Sequence, residues 1–261
     1  MTGPPETLLT TGAPLIDLRA PAEFAHGAFH TAINLPLLTD RERNEVGIAY
    51  KQRGQKAAID IGNRLVCGAT KADRVAGWTE FIDHHPNAWL YCWRGGLRSE
   101  IAQSWLKEAG YDVPRVAGGY KALRQASLQV LATAPKRTGR WLVLAGRTGT
   151  GKTVVINTLD NALDLEGIAN HRGSAFGGYS TPQPTPIDFE NTLAANYLQF
   201  RRSTLVLEDE SRTIGRLALP ESWYRKMSEA PLVLLEASVE ARAAHIRGEY
   251  VEHPILQGES G

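Results

Sequence analysis

The chain has few cysteines, no long apolar run and almost no net charge, and each absence excludes a class of protein. Its 261 residues include only Cys67 and Cys92, which is too few for a disulfide-stabilised secreted domain. No apolar run approaches the roughly 20 residues of a transmembrane helix. The N-terminal segment also lacks the layout of a secretory signal. We therefore expect a cytoplasmic protein with no membrane partner.

What is present is a globular composition with an uneven distribution of charge. Hydrophobic residues make up 43% of the chain, and the formal net charge is +1. Residues 1–140 hold 18 Lys/Arg against 13 Asp/Glu, whereas residues 141–261 hold 11 against 15. The excess over residues 41–74 suits an anionic partner such as RNA, although charge alone favours a solvated helical surface. Its basic members are Arg41, Arg43, Lys51, Arg53, Lys56, Arg64, Lys71 and Arg74.

Strands alternate with helices along the chain, a pattern that predicts α/β domains with largely parallel sheets. We expect strands at 15–18, 32–35 and 87–93, helical character over 40–83, and a helix capped by Ser99 that ends at Gly110. The polar segment 133–140 contains Pro and Gly and is the predicted linker. It separates a first domain at 1–132 from a second at 141–261.

Residues 92–98, which we call the cysteine loop, read Cys-x₅-Arg. Gly95 and Gly96 permit positive φ angles, so the loop amides can surround one anion. Those amides, together with Arg94 and Arg98, would stabilise a Cys92 thiolate for use as a nucleophile. We expect no apolar shell around this cysteine, whereas Cys67 fits a buried structural role.

Two chemistries are compatible with the cysteine loop. In one, Cys92 attacks phosphorus and Arg98 holds the phosphate oxygens, as in cysteine phosphatases. In the other, Cys92 carries a terminal sulfur or selenium as a persulfide-type anion. A phosphatase normally supplies a general acid to its leaving group. The nearest candidates, Asp83, His84 and His85, are not convincingly placed.

Residues 146–153, which we call the phosphate loop, fit the pattern G-x-x-x-x-G-K-[ST] between a predicted strand at 141–145 and a predicted helix at 154–159. Gly146, Gly149 and Gly151 would let backbone N–H groups point at a phosphate. Lys152 would contact terminal phosphates and Thr153 would coordinate Mg²⁺. The motif leaves the ligand open, since any diphosphate could bind there.

Two further segments are candidates for completing the phosphate site. Glu208 and Asp209 follow the next recognisable strand, where a metal-associated carboxylate is needed, although a solvated acidic turn is an equal alternative. The glycine-rich segment 171–178 contains His171 and Arg172 and could complete the anion site. We predict no metal site built from protein ligands alone.

Taken together, "LIDLRAPAEFAHGAFHTAINLPL", "CWRGGLRS" and "RVAGGYKALR" resemble a rhodanese domain. With "GRTGTGKT", "HRGSAFG" and "LEDESRTIG", the chain resembles the tRNA 2-selenouridine synthases, a bacterial and archaeal fusion of a rhodanese and a P-loop domain. The resemblance extends over residues 15–251. Members of that family generally continue into a further helical region, so we expect this chain to be truncated at its C-terminus.

The resemblance implies a reaction at the wobble uridine of 2-thiolated tRNA, near the anticodon. Selenium from selenophosphate replaces the sulfur, and geranyl diphosphate supplies an S-geranyl intermediate. Cys92 would hold the selenium or assist its delivery, and Arg94 and Arg98 would stabilise anions. The phosphate loop would receive the diphosphate, and residues 41–74 would contact tRNA. Selenophosphate synthetase is a candidate partner. We expect no tightly bound cofactor, with Mg²⁺ as a candidate ion at the phosphate loop.

Other functions remain open. The same Cys92 would serve a sulfurtransferase coupled to an NTPase, and a cysteine phosphatase is a more distant reading. A tRNA- or nucleotide-binding fragment without activity is the non-enzymatic alternative.

Overall fold

The computed structural model describes residues 2–137, 139–173, 177–200 and 203–248. The chain divides into two compact units, Met1–Leu128 and Gln129–Gly261. The predicted domain boundaries and the linker at 133–140 stay predictions. No helix in these ranges is long and apolar enough to cross a membrane.

The first unit is a parallel sheet surrounded by helices. Its five strands are ordered β1-β5-β4-β2-β3, with every neighbouring pair parallel. Ile16 of β2 lies between Ile33 of β3 and Leu90 of β4. Its elements are β1 (Thr2–Gly3), α1 (Pro5–Thr11), β2 (Leu15–Asp17), α2 (Pro21–Ala25), β3 (Ala32–Asn34), α3 (Asp40–Leu65), α4 (Gly68–His84), β4 (Trp89–Tyr91), α5 (Leu97–Glu108), β5 (Arg115–Val116) and α6 (Gly119–Thr133), of which residues 129–133 belong to the second unit.

The core of the first unit lies between the sheet and the helices α4 and α5. Ile16 and Leu90 of the sheet are fully buried with Trp78 of α4 and Leu106 of α5. The Trp78 indole N–H donates to the Leu35 carbonyl at 2.9 Å, so the polar atom of this ring is satisfied inside the core. This packing fixes the carboxyl end of β4, where Cys92 lies.

The predicted helical region 40–83 consists of two helices, and the first of them is kinked. A capping box begins α3, because Thr39 Oγ1 accepts from the Glu42 amide and Glu42 accepts from the Thr39 amide. Gly54 interrupts α3 with φ 82° and ψ −176°. A residue with a side chain is strained in that conformation, so glycine permits the kink.

The second unit contains another parallel sheet, ordered β11-β6-β8-β7, and a separate antiparallel pair β10-β9. The predicted α/β class is therefore confirmed for both halves of the chain. The elements are the 3₁₀ turn Ala134–Lys136, β6 (Arg140–Ala145), α7 (Lys152–Thr158), β7 (Ala162–Leu163), α8 (Leu165–Ala169), α9 (Pro186–Gln199), β8 (Thr204–Glu208), β9 (Thr213–Ile214), β10 (Leu217–Ala218), α10 (Glu221–Ser228), β11 (Leu232–Leu234) and α11 (Val239–Arg247).

Candidate active site

The cysteine loop begins directly after β4, at the carboxyl edge of the first sheet. Its backbone is fastened to the start of α6, because the Tyr120 amide donates to the Cys92 carbonyl at 2.9 Å and the Lys121 amide donates to the Trp93 carbonyl at 3.0 Å. Open parallel sheets bind ligands at this edge. The fold therefore presents the loop where a ligand site is expected.

Glycines allow two stretches of backbone to meet at the cysteine loop. Gly95 has φ 65° and Gly119 has φ 60°. A Cβ on Gly119 would collide with the Cys92 carbonyl and the Gly95 amide, and a Cβ on Gly95 would lie 2.7 Å from the Val116 carbonyl. The predicted positive φ is confirmed at Gly95. It is wrong at Gly96, where φ is −97°, because the chain already turns towards α5 there.

The amides of the cysteine loop are available to a ligand. Among the described residues, the backbone N–H groups of 93–98 donate to no hydrogen-bond acceptor. Successive unpaired amides in one turn form an anion-binding concavity. The ring of loop amides around one anion, predicted from Cys-x₅-Arg, is thus compatible with the observed backbone.

Two expectations about the surroundings of Cys92 are wrong. Cys92 is only 4% exposed and belongs to the apolar cluster that includes Ile16 and Ala102. Ser99 does not cap α5, because the helix begins at Leu97 with Gly96 as its N-cap. Instead, the buried Ser99 hydroxyl donates to the Gly96 carbonyl at 2.8 Å and lies 3.5 Å from the Cys92 sulfur. The thiol therefore has a polar neighbour within an apolar shell.

The two arginines of the cysteine loop have different environments. Arg94 is exposed. Arg98 is half-buried and donates to Glu23 at 2.6 Å, while Arg43 lies 3.7 Å from the same carboxylate. Burial alone would raise the pKa of Glu23, but the hydrogen bond and charge of Arg98 outweigh it and the net shift is downward. Glu23 thus fixes Arg98 at the end of the loop.

Three charged residues that the motifs did not single out contact the cysteine loop or the residues packed against it. Arg19 and Asp17 form a buried ion pair at 2.6 Å, and the Arg19 guanidinium lies 3.7 Å from the Tyr120 ring centroid. Arg115 donates to the Gly95 carbonyl at 3.2 Å. Asp17 and Arg19 are distant in sequence from Cys92, and only the rhodanese-like segment "LIDLRAPAEF" pointed to them.

The general-acid candidates lie away from the cysteine. Asp83 accepts from the Tyr111 hydroxyl at 2.9 Å, and His84 and His85 end α4 before β4 begins. Cys92 follows the opposite end of β4. The structure therefore does not bring these residues to the thiol.

Cys67 differs from the prediction of a buried structural residue. It is exposed, and its sulfur lies 3.3 Å from the Arg64 carbonyl at the junction of α3 and α4. The junction places it at a helix N-cap position on the surface, which its local sequence did not indicate.

The phosphate loop connects β6 to α7, as predicted. Gly149 and Gly151 both have φ 82°. A Cβ on Gly149 would lie 2.7 Å from the Arg242 carbonyl, so this position also has no room for a side chain. The Lys152 ammonium donates to the Gly146 carbonyl at 2.9 Å and lies across the loop.

A polar cavity of about 240 Å³ opens beside the phosphate loop. Arg172 and Gly173 line it together with Lys152, and the Arg172 guanidinium lies 4.2 Å from the Tyr179 ring centroid. The first residues of segment 171–178 therefore reach the predicted anion site. Residues 174–176 lie outside the described residues, and the role of the segment stays a prediction.

Carboxylates gather at the inner side of this cavity. We call Glu166, Glu208 and Glu210 the acidic cluster. Thr153 Oγ1 donates to Glu166 at 3.1 Å, and Glu208 accepts from the Glu166 amide at 3.1 Å. Asp209 and Glu210 line the cavity, whereas Glu208 is completely buried behind them. Sequence reasoning identified the acidic residues at 208–210 but missed Glu166.

The acidic cluster is short of positive charge. Burial, with the negative charge of Glu166 added, raises the pKa of Glu208 to about 8 and that of Glu210 to about 8. Burial also raises the pKa of Glu166. Glu208 Oε1 is buried without a hydrogen-bond partner among the described residues. A cation placed here would relieve both the charge repulsion and the unsatisfied oxygen.

The oxygen ligands of the cluster fit Mg²⁺ when a phosphate is bound. Mg²⁺ is commonly held by one or two carboxylates together with substrate phosphates. Within the described ranges, no three residues among His, Cys, Asp and Glu are arranged to hold a metal ion by themselves. The cluster and Thr153 would therefore share the ion with phosphate oxygens.

The basic stretch 41–74 divides into paired and unpaired residues. Arg41, Arg43, Lys71 and Arg74 each form an ion pair with a glutamate. The others are exposed and form no ion pair with a described residue; they are Lys51, Arg53, Lys56 and Arg64. All four lie on α3, on both sides of the Gly54 kink. This helix, rather than the whole stretch, carries the available positive charge.

Comparisons with known proteins match both halves of the chain. A rhodanese-like domain model matches residues 6–126, and a model of the tRNA 2-selenouridine synthase AAA domain matches residues 139–259. Curated tRNA 2-selenouridine synthases from Marinobacter nauticus and Hahella chejuensis are each 51% identical, over 94% and 95% of this chain and 67% and 66% of their own lengths. That of Hydrogenovibrio crunogenus is 50% identical over 98% of this chain and 73% of its own.

Proposed function

Because this chain belongs to the tRNA 2-selenouridine synthase family, we propose that it replaces the sulfur of wobble 2-thiouridine in tRNA by selenium. Selenophosphate supplies the selenium, and the reaction passes through an S-geranyl intermediate. The observation that carries the proposal is the presence of two glycine-rich loops, one with a cysteine and one with a lysine, in a chain about 50% identical to these synthases.

In the first step the phosphate loop binds the diphosphate of geranyl diphosphate. The sulfur of 2-thiouridine forms a bond to the first carbon of the geranyl chain, the carbon–oxygen bond breaks, and diphosphate leaves. The base loses its N3 proton to water in the same step. Lys152 and Arg172, which line the cavity, would neutralise the leaving diphosphate. Mg²⁺ held by Thr153 and the acidic cluster would supply further positive charge.

In the second step the cysteine loop acts on selenophosphate. Selenium in this compound already has the oxidation state of selenide, so storing it on Cys92 as a persulfide-type anion would require an oxidant. Attack of the Cys92 sulfur on phosphorus needs none. The phosphorus–selenium bond breaks, and the thiol proton leaves with selenium as hydrogen selenide. A phosphocysteine is formed, which water then hydrolyses to phosphate and the free thiol.

Hydrogen selenide then completes the exchange. It attacks C2 of the S-geranyl uridine, a carbon–selenium bond forms, and the carbon–sulfur bond breaks. One proton of hydrogen selenide goes to N3 of the base, and the other leaves with sulfur as geranyl thiol. Selenide is a stable leaving group from phosphorus and needs no general acid, which suits a loop at the opposite end of β4 from Asp83, His84 and His85. The unpaired amides of 93–98 and Arg98 would bind the phosphoryl oxygens.

The substrate tRNA would bind through α3. Lys51, Arg53, Lys56 and Arg64 are exposed and lack acidic partners in the described structure, so they are available to backbone phosphates near the anticodon. The reaction would take place in the cytoplasm, and selenophosphate synthetase is a candidate supplier of the labile selenium donor.

Analysis of the nucleosides of a defined tRNA tests the proposal. The purified chain is incubated with 2-thiouridine tRNA, geranyl diphosphate, selenophosphate and Mg²⁺, and the digested tRNA is examined by mass spectrometry. We expect 2-selenouridine to appear at the expense of 2-thiouridine. Transfer of sulfur from thiosulfate to a thiol acceptor, with no change in the tRNA, would instead support the sulfurtransferase. Tight tRNA binding with neither reaction would support a binding fragment.

A further inference from the structure

The first unit contains an apolar cavity that neither loop accounts for. It has a volume of about 290 Å³ and lies between α3 and α5. Its walls are mainly aliphatic and aromatic, formed by Leu38, Val46, Ile59, Ile101 and Trp105. Small-molecule sites are concave and predominantly apolar, with a few polar groups that orient the ligand. This cavity has that composition.

Arg98 connects the apolar cavity to the cysteine loop. It is the arginine of Cys-x₅-Arg, and it lines the cavity together with Leu97 from the same turn of α5. Its guanidinium is fixed by Glu23 at 2.6 Å. A molecule in the cavity therefore lies against one of the residues proposed to act on the selenium donor.

The cavity also continues into a basic recess. A neighbouring cavity of about 280 Å³ shares Leu38, Val46 and Arg98 with the first and adds Arg43 and Lys51 to its walls. An apolar compartment joined to a basic one suits an amphiphile with a hydrocarbon chain and a nearby phosphate.

The kink of α3 gives the cavity its outer wall. Tyr50 and Gln55 line the cavity on either side of Gly54, whose positive φ breaks the helix. A straight α3 would not place both halves of the helix around one opening. The glycine therefore shapes the cavity as well as the helix.

We propose that this cavity holds the ten-carbon geranyl chain while it is attached to the sulfur of the wobble uridine. The inference rests on the proposed function, in which that chain leaves during selenium exchange. At roughly 30 Å³ for each water-sized group, the cavity has room for about ten non-hydrogen atoms. The adjoining recess would receive the phosphate of the same nucleotide at Arg43 and Lys51.

Binding of a single nucleotide tests this site directly. The probe is S-geranyl-2-thiouridine 5′-monophosphate, and S-methyl-2-thiouridine 5′-monophosphate is the matched ligand without the chain. Calorimetric titration of the full chain should show the geranyl compound binding about a hundredfold more tightly, since each buried methylene group contributes favourably. Equal affinity for the two compounds would overturn the proposal.

Ala58 allows the cavity to be filled without removing any charged group. It is buried on α3 and lines the cavity, whereas Ala72 is exposed on α4 and does not. Ala58→Leu should weaken binding of the geranyl compound about tenfold and leave the methyl compound unaffected, and Ala72→Leu should change neither. If Ala58→Leu unfolds the chain by circular dichroism, Ile59→Trp serves the same purpose.

Two outcomes separate this site from the proposed function. Suppose that Lys152→Ala, rather than Ala58→Leu, removes the tighter binding of the geranyl compound. The geranyl group then binds near the phosphate loop, and the proposal is wrong. Formation of 2-selenouridine by the unmodified chain would still support the proposed function in that case. Conversely, if Ala58→Leu weakens binding of the geranyl compound alone, the cavity is supported as the geranyl site. That result stands even where the tRNA assay shows no selenium transfer.

Discussion

The cysteine loop and the phosphate loop both follow a buried parallel strand, yet their charges are balanced in opposite ways. Beside the cysteine loop, Glu23 and Asp17 are paired with Arg98 and Arg19 at 2.6 Å. Beside the phosphate loop, Glu166, Glu208 and Glu210 face one another, and the pKa of two of them is raised to about 8. The carboxylates of the first site are each paired with an arginine, while those of the second repel one another.

This difference suggests a division of labour. A complete, preorganised cradle suits a phosphoryl group that is attacked by the protein's own nucleophile. An acidic cluster whose charge repulsion a cation would relieve suits a diphosphate that arrives with Mg²⁺. Each prediction below changes one side of this comparison.

The largest effect is expected from removing the thiol. Cys92→Ser should abolish covalent labelling by selenophosphate, because serine in this loop is a much weaker nucleophile. Intact-protein mass spectrometry after a rapid acid quench should show one added phosphoryl group on the unmodified chain and none on the variant. Cys67→Ser is the matched control, and it should keep the adduct. Labelling that depends on Cys67 would contradict the assignment.

Removing the lysine of the phosphate loop should be the next largest effect. Lys152→Ala should weaken binding of diphosphate with Mg²⁺ about a hundredfold, since a direct charge–phosphate contact is lost. Titration calorimetry provides the measurement. Lys226→Ala, in the same unit but outside the cavity, should bind like the unmodified chain, and an equal loss in both variants would show that the effect is not local.

A smaller effect is expected at the carboxylate that fixes Arg98. Glu23→Gln should lower the free energy of unfolding by about 1–2 kcal/mol, because a charge-assisted hydrogen bond is replaced by a weaker one. The formation of phosphocysteine should also slow by about tenfold. Glu108→Gln, which breaks an exposed pair with Lys71, should change stability by less than about 1 kcal/mol. Similar losses in both variants would argue against a positioning role for Glu23.

A still smaller effect concerns pH. A carboxyl whose pKa is raised by folding binds extra protons in the folded state, so stability should fall as the pH rises from about 4.5 to about 8. Glu210→Gln should reduce this slope and make the chain more stable than the original at pH 8. Chemical denaturation of both proteins at several pH values measures the free energy of unfolding and its slope with pH. Glu229→Gln, at an exposed carboxylate, should leave the slope unchanged; an unchanged slope in Glu210→Gln would contradict the raised pKa.

Added Mg²⁺ and diphosphate should stabilise the second unit. Binding to the folded state raises apparent stability in proportion to the logarithm of ligand concentration. We expect a higher melting temperature with both ligands at pH 8 and a smaller effect with either alone. A shift with Mg²⁺ alone that equals the combined shift would indicate a protein-only metal site.

Sequence reasoning succeeded where the signal was local. The strand before each loop, the positive φ of Gly95, and the glycines of the phosphate loop follow from short patterns at known spacing. The family itself was recognisable because two such patterns occur in one chain.

Sequence reasoning failed where the surroundings of a side chain are formed by residues distant in sequence. The apolar shell of Cys92 includes Ile16 and Ala102, and Arg98 is held by Glu23, 75 positions earlier. Ser99 has the local signature of a cap, but its side chain turns inward because α5 already begins at Leu97. The contacts of Glu166 with Thr153 and Glu208 likewise depend on how the second sheet assembles.

The central claim is that the two loops perform successive steps, and the nucleosides left by two variants test it most directly. Cys92→Ala and Lys152→Ala are each incubated with 2-thiouridine tRNA, geranyl diphosphate, selenophosphate and Mg²⁺, and the digested tRNA is analysed by mass spectrometry. We predict that Cys92→Ala accumulates S-geranyl-2-thiouridine, while Lys152→Ala leaves 2-thiouridine unchanged. Accumulation of the same nucleoside by both variants would contradict the division of labour.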